Sequence, residues 1–258
     1  MGYSLVLVGR SLEKGNSAVA EMKSFMGNGS IQFYCDDLSS MKAGSRLCDE
    51  IKSTYNTLDI LINNAGAYFS EFWQTKEGFA QTFALNHQAY FSLTQLLLEM
   101  VTDGTPGRIV NVASGAHRGA RLNFNDIQGM NDYKGWPAYC RSKLCNIMFT
   151  YECHQRYEHT NVTFNCLLPG FVNSNFGNNN SGMAKNILEF AKTVFAVDVA
   201  AGASTSSYLA SSEDVQSVSG GYFVKCRPEK SSEFPLIEKV QNRLWEISEG
   251  VLSSLEFN

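Results

Sequence analysis

The stretch 58–66, with the sequence LDILINNAG, indicates the fold class more directly than any other part of the chain. Residues 58–62 have the length and the apolar side chains of a short buried β-strand. The strand runs directly into the polar, glycine-containing turn 63–66. Ligands of open α/β proteins bind at the carboxyl ends of parallel strands, so a turn of this composition indicates a binding edge.

Five further segments of the same character alternate with helical patterns. Strands are predicted at residues 3–8, 31–35, 58–62, 108–112, 162–168 and 222–225. Apolar spacing predicts helices at 12–26, 39–57, 81–100, 138–157, 183–195, 198–210 and 236–251. This alternation predicts an α/β fold of three layers: a Rossmann-like, doubly wound parallel sheet with helices on both faces. With no linker or repeat, residues 1–258 are interpreted as a single domain.

The composition excludes several classes of protein. The chain has 258 residues, 44% of them hydrophobic and 18% charged, which excludes disorder over most of its length. A net charge of −4 and a pI near 5.6, without a basic block, exclude general nucleic-acid binding. We expect no transmembrane segment and no secretory signal. Seven cysteines without metal-binding spacing predict reduced thiols and a cytoplasmic protein.

Tyr139 and Lys143 form the first candidate for chemistry. Residues four apart lie on one face of a helix, so the two side chains can be neighbours. A phenol is a poor acid or base at neutral pH, but a nearby ammonium favours the phenolate and moves the pKa toward the working range. The pair could therefore move a proton to or from a carbonyl or alcohol oxygen. Taken alone, an amphipathic surface pair remains the alternative.

Several polar residues near the predicted strand ends join this pair. Ser114 follows strand 108–112 and could hydrogen-bond a substrate oxygen, or it could cap a turn. Asn86 lies in an apolar helical stretch, where it could hold a water or kink the helix. The turn 63–66 could let a flat ligand approach the backbone, or be a plain turn. His117 is interpreted as a solvent-facing loop residue.

The ordered set of motifs resembles the short-chain dehydrogenase/reductase family. The motifs are NNAG at 63–66, Asn86, Ser114, YCRSK at 139–143 and LPGFV at 168–172. The phrases RIVNVASGAH and AYCRSKLCNIMFT are most similar to its retinol dehydrogenase-like branch. The resemblance implies hydride transfer between NAD(P)(H) and a carbonyl or alcohol. It implies that Tyr139 is the general acid/base and that Lys143 lowers the pKa of Tyr139 and binds the nicotinamide ribose. Ser114 would orient the substrate oxygen, and Asn86 would support a proton-relay water.

The resemblance also implies a cofactor-binding set. Its members are Arg10, Asp37, Leu38, Asn63, Ala65, Gly66, Tyr139, Lys143, Pro169, Gly170 and Val172. Asp37 matches the position that contacts the adenine. After strand 3–8, an NAD site would place a carboxylate on the ribose 2′-hydroxyl, whereas this chain has Arg10. A guanidinium suits a 2′-phosphate, which favours NADP(H) over NAD(H); the alternative is a solvated loop charge.

One part of the family pattern is missing from the sequence. The family has an earlier strand followed by a T-G-x-x-x-G-x-G turn that binds the diphosphate, and the first strand here matches the family's second. We therefore expect an N-terminally truncated sheet with unpaired edges and exposed apolar surface between strands 3–8 and 58–62, unless the sheet closes the gap. A membrane anchor could precede such a segment.

Three hypotheses follow. The first is an NADP(H)-dependent oxidoreductase that acts on a small hydrophobic alcohol or carbonyl, such as a retinoid- or lipid-like molecule. The second is a catalytically impaired relative with weak or no cofactor binding that acts through partners. The third is a homodimeric scaffold, because helices 81–100 and 138–157 commonly form the dimer interface of the family. The substrate itself depends on the loop 173–180 and is not predicted.

Overall fold

The computed structural model describes residues 4–25, 30–102, 106–169 and 199–254. The predicted helix 183–195, the loop 173–180 and the candidate site residues Gly170 and Val172 lie outside these ranges. Within them, no helix combines the length and the apolar character that crossing a membrane requires.

Seven strands are found in the described residues. They are β1 (Leu5–Gly9), β2 (Ile31–Cys35), β3 (Ile60–Asn63), β4 (Arg108–Val112), β5 (Thr163–Leu168), β6 (Gly221–Val224) and β7 (Arg227–Glu229). The first six agree with the predicted strands to within a few residues. β7 was not predicted, because it has only three residues, all exposed, and contains a proline. It pairs antiparallel with β6 through a turn in which Lys225 and Cys226 have positive φ.

The described residues also contain seven α-helices, which lie between and after the strands. They are α1 (Leu12–Phe25), α2 (Met41–Thr54), α3 (Gln81–Phe83), α4 (Ala89–Thr102), α5 (Gly135–Arg156), α6 (Val199–Ser211) and α7 (Glu238–Ser253). The predicted helix 81–100 is interrupted, because the π turn Ala84–Gln88 separates α3 from α4. Its apolar residues continue through the π turn, so periodicity alone does not reveal the wider turn.

The strands form two sheets, and all neighbouring strands are parallel except β6 and β7. Both sheets contribute to one apolar core. β1 pairs with β2, and β3, β4, β5, β6 and β7 follow one another in the second sheet. Val8 of β1 and Leu61 of β3 nevertheless pack against the same apolar cluster, which includes Leu47 of α2 and Leu97 of α4. The parallel sheet and the single domain are therefore as predicted, but the sheet is divided between β1 and β3. β3 is therefore an edge strand, and Ile62 on it is 43% exposed, in agreement with the exposed apolar surface expected at this gap.

The register of the second sheet aligns the ends of three strands. Asn63 at the end of β3 lies beside Asn111, and Val112 at the end of β4 lies beside Leu167 on β5. Residues that follow β3, β4 and β5 therefore emerge at one edge. Helix α5 packs across β5 and brings its N-terminal half to this edge.

Candidate active site

Tyr139 and Ser114 come together at the carboxyl edge of the second sheet. Ser114 follows β4 in extended conformation, and its hydroxyl accepts a hydrogen bond from the backbone N–H of Ala116 at 3.2 Å. A side-chain hydrogen bond joins Ser114 to Tyr139, which is buried on the second turn of α5. The structure therefore brings these two candidate residues together, and their shared contact with a substrate oxygen stays a prediction.

His117 positions Ser114, although the sequence suggested a solvent-facing residue. It is fully buried under the loop that follows β4. Its Nε2 accepts a hydrogen bond from the backbone N–H of Ser232 at 3.2 Å, so the proton is on Nδ1. Nδ1 then donates to the carbonyl of Ser114 at 2.7 Å. Loop position gives no warning of this burial, which depends on the distant segment after β7.

Lys143 lies one helical turn beyond Tyr139 and is buried. Its Nζ donates to the carbonyl of Val112 at 3.0 Å and lies 5.4 Å from the ring centroid of Tyr90. Burial lowers the pKa of Lys143 from 10.5 to about 7. A lysine with this pKa is partly deprotonated near neutral pH, whereas a surface lysine is protonated there.

The pKa of Tyr139 moves in the opposite direction to the one expected. Burial raises it to about 12, the hydrogen bond with Ser114 lowers it, and Cys140 raises it slightly. Desolvation of the phenolate therefore outweighs stabilisation by its neighbours. Tyr139 is therefore protonated at neutral pH, although the raised pKa makes it a weaker acid than a free phenol.

Asn86 fixes the loop after β3 in front of Lys143. Its Oδ1 accepts from the N–H of Ala67 at 2.8 Å, and its Nδ2 donates to the carbonyl of Ala67 at 2.9 Å and to Ser142 at 3.0 Å. The π turn places this amide between the loop and α5. The side chain is thus a structural clamp, and support of a proton-relay water is left as a prediction.

We predict that Asn86→Ala destabilises the protein by about 2–4 kcal/mol, since it leaves the buried N–H and carbonyl of Ala67 unpaired. Urea unfolding of both proteins measures the difference. Asn64→Ala, in the same loop but exposed, should stay within about 0.5 kcal/mol of the parent. Equal effects of the two substitutions would contradict the clamp.

The other predicted cofactor residues divide between the two sheets. Arg10 and Asp37 follow β1 and β2, whose register puts Gly9 beside Cys35. Arg10 is exposed, whereas the Asp37 carboxylate accepts from the N–H and hydroxyl of Ser39 at 3.0 and 2.8 Å. Leu38 is a buried core residue.

The remaining members of the set lie at the second sheet. Asn63 is buried and donates to Thr94 and Asn111 at 3.1 and 2.9 Å, so its amide faces the interior. Ala65 and Pro169 are half-buried.

Gly66 lies directly in front of the buried amine. A Cβ at this position would be 3.2 Å from Nζ of Lys143 and 3.4 Å from Oδ1 of Asn86. Only a residue without a side chain leaves this approach to Lys143 open.

Two aromatic residues next to Tyr139, Tyr68 and Trp136, were not predicted from the sequence as part of the site. The ring of Trp136 stacks on that of Tyr139, with centroids 5.6 Å apart and an interplanar angle of 26°. Tyr68 meets both rings edge-on at 6.3 Å. The spacing of Trp136 and Tyr139, three residues apart on a helix, could have predicted their contact, because it puts both side chains on one helix face.

The sequence matches proteins of one known family. Residues 1–185 match the family model described as short chain dehydrogenase. Retinol dehydrogenase 14 of Mus musculus is 38% identical over 222 residues, and the match covers 85% of this chain and 66% of that protein. Retinol dehydrogenase 11 of Homo sapiens is 34% identical over 247 residues, covering 96% and 77%.

The chain belongs to the short-chain dehydrogenase family. Within this family it falls in the retinol dehydrogenase-like branch, as the motifs indicated. The family consists of NAD(P)-dependent oxidoreductases that act on CH–OH groups. The chain spans about two thirds of the length of retinol dehydrogenase 14.

Solved structures of short-chain dehydrogenases have the same fold. An uncharacterized protein from Mycobacterium paratuberculosis superposes with a TM-score of 0.74 at 26% identity, covering 96% of this chain and 83% of its own. A short chain dehydrogenase from Burkholderia cenocepacia, solved in complex with NADP, gives 0.66 at 19% identity and covers 85% and 84%. At this identity the second likeness concerns the fold alone.

The residues present fit a short-chain dehydrogenase cofactor at one end. The space before Lys143, which a Cβ at Gly66 would fill, suits the nicotinamide ribose, whose hydroxyls can accept from Nζ. Arg10 and Asp37 would meet the adenosine end beyond β1 and β2. A glycine-rich turn for the diphosphate between these two ends is not found in the sequence.

Proposed function

We propose that the protein is an NADP(H)-dependent oxidoreductase that transfers a hydride between the cofactor and an apolar alcohol or carbonyl compound. The observation that carries the proposal is the convergence of Ser114, Tyr139 and Lys143 at one strand edge, with the two hydroxyls hydrogen-bonded and the amine buried beside them. Folding alone gives no reason to bury a lysine at this place.

The residues of the chain supply the proton and its orientation. The cofactor, when bound, would supply the hydride that the carbonyl carbon of the substrate receives. The Tyr139 hydroxyl donates its proton to the carbonyl oxygen, so the phenolic O–H bond breaks as the alcohol O–H bond forms. Ser114 orients the oxygen by a second hydrogen bond. Lys143, when protonated, lowers the free energy of the phenolate that remains. Oxidation of an alcohol reverses each step.

The preference for NADP(H) rests on Arg10. It follows β1, at the same edge as Asp37, where an adenosine 2′-phosphate would meet an exposed guanidinium. We predict that Arg10→Gln weakens NADPH binding about tenfold and leaves NADH binding within about twofold, because only the 2′-phosphate contact is removed.

Fluorescence titrations of both cofactors measure that ratio. Arg243→Gln, which removes an exposed arginine of α7, serves as the control and should change neither affinity. Parallel losses for NADPH and NADH in Arg10→Gln would contradict the assignment.

The substrate class follows from the surroundings of Tyr139. The aromatic rings of Tyr68 and Trp136 adjoin it, so the substrate group next to the reacting carbon is apolar. Relatives named retinol dehydrogenase support a retinoid- or lipid-like molecule. The test is NADPH consumption with an apolar aldehyde by the purified protein. Turnover that Tyr139→Phe abolishes supports the proposal, and no turnover with any apolar aldehyde would refute it.

A second candidate is a relative that binds the cofactor weakly and acts through partners. The observation that favours it is the division of the sheet between β1 and β3, which separates Arg10 and Asp37 from Lys143. A folded protein without measurable NADPH affinity would support this candidate.

We propose a cytoplasmic location for both candidate functions. The seven cysteines, four of them buried in α5, β5 and α2, are all free thiols, as expected in a reducing compartment.

A homodimer through the helices of residues 81–100 and 138–157 remains a prediction. Helix α7 of the same chain already packs on α5, and its Trp245 contacts Phe91 of α4 at 5.0 Å and Phe149 of α5 at 6.0 Å between ring centroids. Pairing of two copies would have to use the surface that α7 leaves free.

A further inference from the structure

Trp136 is a large apolar side chain that folding does not explain. It lies on the first turn of α5 and is 54% exposed, although one face of its ring stacks on the buried ring of Tyr139. Isolated exposed apolar residues are common, but this one touches the proposed proton donor. The exposed part of its side chain lies next to the reacting group.

The place of Trp136 is fixed by its surroundings. A Cβ at Gly135 would lie 2.4 Å from the carbonyl oxygen of Phe69, so the start of α5 can approach this loop only with glycine. The hydroxyl of Tyr133 donates to the same carbonyl at 3.0 Å. Tyr68, at the end of the same loop, holds the indole edge-on at 6.3 Å. The three contacts lock the loop and the helix together.

Trp136 and Lys143 lie on opposite sides of Tyr139 along α5. Seven residues of helix separate them, which corresponds to about 10 Å along the axis. Because Lys143 marks the cofactor side of the proton donor, Trp136 marks the side from which the substrate carbon chain extends. The indole therefore stands beside the group next to the reacting carbonyl.

We propose that Trp136 is a specificity-determining residue whose exposed indole, together with Tyr68, binds a flat aromatic or conjugated segment next to the reacting carbonyl. The proposal rests on the proposed function, and it adds a preference for planar over equally apolar, puckered substrates. A planar π-system can stack on the indole over its whole face, whereas a saturated ring meets it at a few hydrogen atoms.

Other exposed aromatic residues do not share this position. Trp73 is 57% exposed and Phe72 is 39% exposed. Phe72 packs on Tyr133 rather than on Tyr139, with ring centroids 5.5 Å apart. Trp73 therefore offers a matched control: a similarly exposed tryptophan in the neighbouring loop whose ring, among the described residues, does not contact the ring of the proton donor.

The test compares two aldehydes with the same carbon skeleton. Naphthalene carbaldehyde is planar, and its fully hydrogenated decalin analogue is puckered. Binding to the full chain is measured by calorimetry with NADPH present in the Tyr139→Phe background, where turnover is blocked. Trp136→Leu should weaken naphthyl binding about tenfold and change decalin binding less than about twofold, whereas Trp136→Phe should retain most of the preference. Trp73→Leu should change neither.

Several outcomes overturn the proposal. These are equal binding of the two aldehydes by the parent, no binding of either, equal losses in Trp136→Leu, or the same change in Trp73→Leu. Thermal unfolding of each variant shows whether the fold is retained, and Trp136→Phe keeps the test valid should Trp136→Leu unfold. NADPH consumption by the protein with Tyr139 intact is recorded separately. Planar selectivity without turnover refutes the proposed function alone, and turnover without planar selectivity refutes the role of Trp136 alone.

Discussion

Tyr139→Phe is expected to lower the NADPH-dependent reduction of an apolar aldehyde by about 10²- to 10⁴-fold. The substitution removes one oxygen atom and with it the proton that the carbonyl oxygen would receive. The phenyl ring keeps its stacking on Trp136 and its edge contact with Tyr68, so the fold should be retained. Initial rates and NADPH titrations of the two proteins measure the effect.

Tyr151→Phe provides the control for this prediction. It makes the same change on the same helix, at a tyrosine whose hydroxyl bonds Ser231 at 2.9 Å. We expect its rate to stay within about threefold of the parent, as for a residue outside the reaction. Retention of more than a tenth of the parent rate by Tyr139→Phe would show that another group supplies the proton.

Lys143→Met is expected to abolish activity and at the same time to stabilise the cofactor-free protein. Burial lowers the pKa of Lys143 from 10.5 to about 7, so the unfolded state binds this proton more tightly than the folded state. Methionine has a similar length and carries no charge. The carbonyl of Val112 keeps the amide of Asn146 at 3.4 Å after the amine is removed. We expect a gain of about 2–4 kcal/mol at neutral pH, after the lost hydrogen bond is counted.

The pH dependence identifies the cause of that gain. The penalty for burying the ammonium is fully present below pH 7 and is relieved as the pH rises from about 7 to 10.5, where the unfolded lysine also loses its proton. The stability gap between Lys143→Met and the parent should therefore shrink by up to about 1.4 kcal/mol per pH unit across this range.

Urea unfolding at several pH values measures the gap. Lys42→Met, an exposed position on α2, should show neither the gain nor the pH dependence. A gap that is constant with pH would mean that packing, and not the buried charge, is responsible.

The fold could be predicted largely because its signals are local. Strands such as 31–35 and 108–112 are short apolar runs between turn residues, and their bounds agree with the structure. Two elements could not be found this way. The π turn Ala84–Gln88 lies within a longer helical stretch whose sequence pattern shows no break, and β7 is a short, exposed strand. The division of the sheet followed from the motif order, which left out a strand between 3–8 and 58–62.

The proximity of Ser114, Tyr139 and Lys143 could be predicted from the sequence, but their electrostatics could not. The spacing of Tyr139 and Lys143 placed both on one helix face, and Ser114 lies where the strand end suggested. Burial reversed the expected pKa shift of Tyr139, because desolvation depends on the packing of the whole edge. The burial of His117 and the stacking of Trp136 depend on segments far apart in sequence, which no local pattern reveals.

The most direct measurement is a titration of NADPH into the purified 258-residue chain, followed by fluorescence. A circular dichroism spectrum recorded on the same sample establishes that the protein is folded. The account predicts saturable binding in the micromolar range that is tighter for NADPH than for NADH and is weakened by Lys143→Met. Absence of NADPH binding by a folded protein would contradict it, because the convergence of Ser114, Tyr139 and Lys143 would then serve no hydride transfer.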